Sequence, residues 1–289
     1  MDQPARTRLE RLLGSRLAAA QSLGGGHGIR HYRLTLTDGR AAFAKIKDQD
    51  PGGNELNTFA AEAHGLRWLG EAGAAPVPAV LASDAACVVT EWINAGPPTP
   101  AAASAFGREL ARLHGAGAPR FGAPWGGVIA GLPLPNDESD CWPDWYAANR
   151  LLPYIGIAAD AGVLTAADAR LIEAAAARSA ELAGPAEPPS RIHGDCWSGN
   201  VLWSGGRGWL IDPAAHGGHR ETDLAMLALF GAPFLSQVVA SYAAVAPLAD
   251  GWRTRVPLHQ LHPLLVHVCL FGGSYRDAAV QAARSVLAM

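Results

Sequence analysis

Apolar residues recur at helical spacing from the start of the chain. Leu9, Leu12, Leu13 and Leu17 stand among Arg6, Arg8, Arg11 and Arg16, a pattern that predicts an amphipathic opening helix over residues 5–20. The glycine-rich run 24–28 reads as a loop ahead of a strand. The apolar period then shortens to two at Tyr32, Leu34 and Leu36. An Asp38-Gly39 turn and a second apolar run over 41–46 complete a predicted hairpin. Leu56, Phe59, Ala63, Leu66 and Leu69 return to one helical stripe, so a helix is expected over 54–70, closed by Pro76 and Pro78. Two more short strands are expected at 80–81 and 87–93.

The character changes after residues 94–100, a stretch rich in Pro and Gly that reads as a linker. Helical periods dominate at 101–114, 142–152, 165–182, 222–230, 234–245 and 258–271, with short apolar runs at 201–203 and 209–211. The pattern predicts an α+β chain with a small β-rich part over 1–92 and a larger helical part over 93–289.

Composition removes several classes. The chain has 289 residues, 49% hydrophobic and 17% charged, which suits a globular protein with a sizeable core. Lys plus Arg is 23 against 26 Asp plus Glu, a net charge of -3, so nothing favours nucleic-acid binding. Cys87, Cys141, Cys196 and Cys269 form no C-x-x-C pair, and their sparseness fits a reducing compartment. The N-terminal residues lack the apolar centre of a signal peptide, and the longest apolar run, near 224–235, is shorter than the ~20 residues a membrane span needs. The expectation is a soluble cytoplasmic protein. Oligomeric state is open.

Chemistry concentrates in Arg191-Ile192-His193-Gly194-Asp195-Cys196-Trp197-Ser198-Gly199-Asn200. Asn200 follows Asp195 by five positions, and Asp212 follows Asn200 by twelve, in Ile211-Asp212-Pro213. Phosphoryl transfer to a hydroxyl needs a carboxylate facing the hydroxyl and separate oxygen ligands for the cation on the phosphates. The Asp-to-Asn gap matches a kinase catalytic loop. An isolated Asp beside Gly would read as a turn residue; the joint pattern points to phosphotransfer.

The first part of the chain adds support. Lys45 follows the Asp-Gly turn on a predicted strand, and Glu62 lies beside the buried stripe of the next helix. A carboxylate there is costly unless paired, and Lys45 is the evident partner, an arrangement that positions nucleotide phosphates in kinases. Taken alone, Glu62 could fringe a solvated face. The run Gly24-Gly25-Gly26-His27-Gly28 precedes a strand, so it is neither a Walker loop nor a dinucleotide fingerprint, although such glycines let backbone N–H groups approach phosphate.

On these motifs the chain resembles the protein-kinase-like phosphotransferases, which include aminoglycoside and choline kinases, and more closely the fructosamine (ketosamine) kinase family. The nearer likeness rests on 193–200, Ile211-Asp212-Pro213-Ala214, the run 218–226 (Gly-His-Arg-Glu-Thr-Asp-Leu-Ala-Met), Tyr146 with Arg150, and 270–275. It spans about residue 23 to the end.

The resemblance implies a bilobal fold with ATP between the lobes and Mg²⁺ as cofactor. It makes Asp195 the catalytic base and Asn200 and Asp212 the metal ligands. Lys45, paired with Glu62, would contact the α/β-phosphates. Gly25, Gly26, His27 and Gly28 would cover the phosphates, and the backbone around Glu91, Trp92 and Ile93 would receive adenine. Asp223 would brace the catalytic loop. Trp197 is a candidate to pack on a sugar-like acceptor or, equally, an ordinary core residue; His216 and Glu221 are further acceptor-side candidates. The implied acceptor is a ketosamine, on a small amine or a protein lysine.

Departures lie on the acceptor side. Cys196 stands where the family usually carries Leu, residues 121–135 are rich in glycine, and Ala214-Ala215-His216-Gly217 follow Pro213 where the family often carries an aromatic. Two alternatives follow. One is the same transfer to an aminoglycoside, choline or another amino alcohol, for which the acidic run 136–140 would suit a polycation. The other is a nucleotide-binding module without catalysis, which the presence of all five machinery residues opposes.

Overall fold

The structure, a computed structural model, describes residues 1–26, 28–47 and 58–289. Helix α1 (Gln3–Leu13) is capped by the Asp2 side chain on the Ala5 N–H and ends at Gly14, whose left-handed φ of 60° returns its N–H to Arg11. The helix therefore stops short of the expected residue 20. Leu17 instead opens strand β1 (Leu17–Gly26), which pairs antiparallel with β2 (Ile29–Leu36). This corrects the reading of the glycine run as a loop: Gly24, Gly25 and Gly26 pair with His31, Arg30 and Ile29. Gly25 must be glycine, because a Cβ there would fall 2.1 Å from the Ile29 carbonyl oxygen.

Strand β3 (Ala41–Lys47) follows the Asp-Gly turn, with His31 directly opposite Lys45. Helix α2 (Thr58–Glu71) comes next, and the expected turn at 54–57 lies outside the described residues. Strands β4 (Val80–Asp84) and β5 (Cys87–Glu91) finish a five-stranded antiparallel sheet of order β1-β2-β3-β5-β4. One face packs Tyr32, Leu34, Ala42, Ala44, Cys87 and Val89 against Leu9 and Leu17, and Phe59 and Ala63 of α2 pack on Val88. Strict alternation leaves Lys45 on the α2 side of the sheet.

The rest is mostly helical. Helix α3 (Pro100–Gly115) starts at a Thr99 cap. A hairpin of β6 (Gly127–Ile129) and β7 (Leu132–Leu134) follows, which the sequence does not announce. The single helix expected over 142–152 is divided into α4 (Trp142–Tyr146), a π-helical turn over 147–151, and α5 (Leu152–Asp160). The wide turn carries Asn149 and Arg150 into the interior; the Arg150 guanidinium lies 4.4 Å from the Trp145 ring centre and donates to Asn136 Oδ1 at 2.7 Å. Helices α6 (Ala166–Ala177) and α7 (Ser179–Leu182) replace the one expected over 165–182.

Two short antiparallel pairs then frame the 193–200 loop: β8 (Ser190–Ile192), β9 (Val201–Ser204), β10 (Arg207–Leu210) and β11 (His216–Gly218) pair as β8 with β11 and β9 with β10. Helices α8 (Arg220–Leu229), α9 (Leu235–Ala243), α10 (Trp252–Phe271) and α11 (Gly273–Leu287) close the chain. The last was not expected.

Helix α10 contains Pro257 and Pro263. Pro263 has no N–H for the carbonyl four residues back, at His259. The Tyr146 hydroxyl inserts there, donating to the Leu258 and His259 carbonyls at 2.9 and 3.3 Å and accepting the His262 N–H at 3.4 Å. This side-chain repair keeps a proline-bearing helix continuous in the core. Among the described residues no helix is long and apolar enough to cross a membrane.

Candidate active site

A cleft of about 1200 Å³ lies between the sheet and the helical part, walled by Gly26, Gly28, Lys45, Glu62, Asp195, Trp197, Asn200 and Asp212 among others. Local structure accounts for each position. Lys45 leaves the sheet on the face toward α2, one helical turn of which brings Glu62 to meet it. Lys45 Nζ lies 3.0 Å from both Glu62 oxygens and 2.5 Å from Asp212 Oδ1, so one ammonium joins residues 167 positions apart. Burial pulls the Lys45 ammonium down, and the Glu62 and Asp212 carboxylates outweigh it, leaving Lys45 raised and charged. Burial pushes the Glu62 carboxyl up to about 7 against the pull of Lys45.

The loop after β8 is held from beneath. Asp223, fully buried near the start of α8, accepts the His193 N–H at 2.8 Å on Oδ2 and the Gly194 N–H at 2.9 Å on Oδ1. His114 Nε2 reaches the same carboxylate at 3.0 Å, and its Nδ1 meets the Tyr242 hydroxyl at 2.8 Å. His193 fixes the other side: Nδ1 accepts the Asp195 N–H at 3.2 Å while Nε2 donates to the Ile211 carbonyl at 2.9 Å. Gly194 takes φ +80°, and a Cβ there would lie 2.2 Å from the Ala214 carbonyl oxygen, so only glycine fits between His193 and Asp195.

Asp195 and Asn200 form one unit. Asn200 Nδ2 donates to Asp195 Oδ2 at 2.8 Å and to the Asp195 carbonyl at 2.9 Å. With Nδ2 so engaged, the Asn200 Oδ1 oxygen is the atom of this side chain that could ligate a cation. Burial drives the Asp195 carboxyl up to about 7; the Asn200 bond lowers it, and Asp212 and Asp223 push it further up. Asp212 follows β10 with φ 52°, a left-handed conformation that costs a non-glycine residue about 1 kcal/mol or more. The strained turn presents its carboxylate to the cleft, with 40% of the side chain exposed.

Trp197 lies on the cleft wall and outside the packed cores, 37% exposed and edge-on to Phe230 at 5.9 Å. Gly199 lies against its ring, where a Cβ would come within 2.3 Å. Two acceptor-side expectations need correction. Glu221 is 2% exposed, is gripped by Arg255 at 2.9 and 2.5 Å, and is not among the residues that wall the cleft. His216 is buried with Nδ1 on the Ala214 carbonyl at 2.7 Å, in a separate small cavity lined by Trp142, Trp145 and Arg150.

Around Glu91, Trp92 and Ile93, the Glu91 N–H donates to Ala79 and the Trp92 N–H to Ala41. Both are committed to the sheet, and the three residues lie off the cleft walls defined above. His27 lies outside the described residues.

The buried trio His219, Glu221 and His259 brings ligand atoms within 4.8 Å of one another. It is not arranged for a cation, since Arg255 occupies both Glu221 oxygens and His219 Nδ1 accepts the Glu221 N–H, which puts the ring proton on Nε2.

Sequence reasoning missed part of the cleft. His31 faces it beside Lys45, the tip of the β6–β7 hairpin (Val128, Ile129, Ala130) overhangs it, and Val266, His267, Leu270 and Phe271 line its far side. The last four recur at helical spacing on one face of α10, a signal that periodicity carried but that reads equally as core.

A cleft between an antiparallel sheet and a helical part, with a Lys–Glu pair on one side and an Asp/Asn/Asp set on the other, defines a protein-kinase-like small-molecule phosphotransferase. The fructosamine kinase family model matches residues 1–289. The probable ketoamine kinase YniA of Escherichia coli K12 is 31% identical over 294 aligned positions, covering 97% of this chain and 98% of its own. A crystal structure of a candidate fructosamine-3-kinase from Thermobifida fusca is 50% identical, covers both chains completely and superposes with a TM-score of 0.96. The streptomycin–ATP complex of the phosphotransferase APH(2″)-IIa, at 16% identity, shares the fold, with a TM-score of 0.62 over 100% of this chain and 97% of its own. The chain belongs to the fructosamine kinase family.

Proposed function

We propose that the protein transfers the γ-phosphoryl group of ATP, with Mg²⁺, to a sugar hydroxyl of a ketosamine. The observation that carries this reading is the meeting of Lys45, Glu62 and Asp212 with the Asp195–Asn200 unit in one cleft. Asp195 takes the hydroxyl proton as the acceptor oxygen bonds to the γ-phosphorus and the bond to the β-phosphate oxygen breaks. A carboxylate held near 7 is matched to that task at neutral pH.

Lys45, kept charged by its two carboxylates, offsets charge on the phosphates, and Glu62 holds it in place. The donor set suits Mg²⁺: Asn200 Oδ1 and the half-exposed Asp212 carboxylate are hard oxygen ligands. Bound there, Mg²⁺ would neutralise phosphate charge. Gly25, Gly26 and Gly28 would bring backbone N–H groups over the phosphates, and we assign His27, between them in sequence, to the same role. With the N–H groups of Glu91 and Trp92 engaged, Ile93 is the backbone donor of that trio for adenine. We take residues 1–92 and 93–289 as the two lobes that close on the nucleotide.

An aminoglycoside acceptor is the second reading, and the acid run 136–140 was its support. Asp140 is paired with Arg120 at 2.6 Å, and Asn136 is buried on Arg150, which weakens that support. The test is ADP release from ATP and Mg²⁺ with fructosyl-lysine, ribulosyl-lysine, kanamycin and choline. Turnover confined to the ketosamines is expected. Turnover on kanamycin or choline alone would move the acceptor class, and nucleotide binding with no turnover on any acceptor would favour a non-catalytic module.

A further inference from the structure

An aromatic chain runs from the catalytic loop onto α10. Trp197 contacts Phe230 at 5.9 Å between ring centres, Phe230 contacts His267 at 4.8 Å, and His267 contacts Phe271 at 5.5 Å and Tyr275 at 4.8 Å. Trp197, His267 and Phe271 line the same cleft as Asp195. Trp197 and Phe271 are 37% and 57% exposed, a large apolar area left in water beside the reacting centre.

His267 has a fixed tautomer. Its Nδ1 lies 2.7 Å from the Pro263 carbonyl, an oxygen that only accepts, so Nδ1 carries the proton. Nε2 then carries the lone pair, on a ring that itself lines the cleft. Burial holds the imidazole below its usual range, and the Pro263 bond offsets this only in part, so the ring is neutral at pH 7. A neutral acceptor nitrogen among aromatic faces recognises a group that is both cationic and a hydrogen-bond donor. A protonated secondary amine is such a group, whereas a sugar hydroxyl alone does not use the ring faces as a cation does.

We propose that Trp197, His267 and Phe271 form the subsite for the amine-bearing arm of the acceptor, with His267 Nε2 accepting a hydrogen bond from its ammonium. The inference rests on the ketosamine reading above and adds which residues tell an amine-linked sugar from other sugars. His267 is a positioning residue and takes no part in proton transfer to Asp195.

The test compares a 1-alkylamino-1-deoxyfructose with its 1-O-alkyl ether, in which oxygen replaces the nitrogen. The wild type should favour the amine by about tenfold or more in kcat/KM, through KM. His267→Leu should raise KM for the amine by about tenfold, affect the ether far less and leave KM for ATP unmoved. His267→Gln, which keeps an acceptor oxygen, should recover part of the preference, a rescue that a merely structural role would not give. Phe271→Ala, at an exposed position that tolerates truncation, should lower the preference without loss of thermal stability. Equal use of amine and ether by the wild type, or an unchanged ratio in His267→Leu and Phe271→Ala, overturns the subsite while leaving the ketosamine kinase reading intact. Failure of the wild type to phosphorylate either sugar overturns both.

Discussion

Asp195→Asn should stabilise the protein while disabling it. Asp195 is enclosed with one amide partner, Asn200, and two neighbouring carboxylates, Asp212 and Asp223. Its carboxyl is raised from the ordinary 3.8 to about 7. That rise corresponds to at most ~4 kcal/mol of destabilisation once the group is ionised. The residue is partly open to solvent, and screening reduces this to about 1–3 kcal/mol. The sign follows from proton binding. Between the unfolded value near 4 and the folded value near 7 the native state holds more protons, so stability falls as pH rises through that window. Asparagine removes the penalty.

The variant should therefore melt about 2–12 °C above wild type at pH 8, at ~2–4 °C per kcal/mol, and the gain should vanish toward pH 4. The assay is thermal unfolding of both proteins from pH 4 to 8, without nucleotide or Mg²⁺. Turnover should fall ~10²–10⁴-fold, the range for a general base. A variant that melts lower at pH 8, or whose gain does not change with pH, refutes the reasoning about Asp195; near-normal turnover refutes its role as base.

Asp223→Ala should act oppositely, because it strands the His193 and Gly194 N–H groups in a fully buried place. At ~1–3 kcal/mol for each of the two orphaned donors, about 2–6 kcal/mol is lost, a large share of a typical stability, and Tm should drop by roughly 10 °C. A drop below about 3 °C would mean the loop is held by other groups. The Asp223 carboxyl is penalised by burial but held below its usual range by His114 and the loop N–H groups, so its stabilisation is present above the unfolded value and is lost as pH falls through the folded one. Asp212→Ala should remove the Mg²⁺ dependence of ATP binding, measured by titration with and without the ion; persistence of that dependence would take Asp212 out of the metal site.

Much of the candidate site was legible because it is local in sequence or tied to short elements. The 193–200 loop carries Asp195, Gly194 and Asn200 within eight residues, and the Asn200 side-chain amide folds back onto the Asp195 carbonyl. Lys45 and Glu62 were legible because a charge beside an apolar stripe demands a partner. Glu221 misled for the same reason that made it noticeable. It belongs to a run rich in charge, yet its partner Arg255 lies 34 positions away on a helix whose sequence gives no hint of the pairing. The opening helix was overrun because Leu17 fits both periods, and Gly14 decided between them.

By itself the sequence determined the candidate phosphotransfer motif, with Asp195, Asn200 and Asp212 at kinase-like spacing, and the change from strand to helix near residue 94. These follow from local rules, since periodicity, turn chemistry and spacing act over a few residues. Only the tertiary structure decided which residues meet across long gaps: the Lys45–Asp212 contact, the Tyr146 hydroxyl repairing α10, and the row of Trp197, Phe230 and His267. Burial of a ring or a carboxylate depends on what packs above it. That packing is set by the sum of many weak contacts along the whole chain, and no short window of sequence contains it.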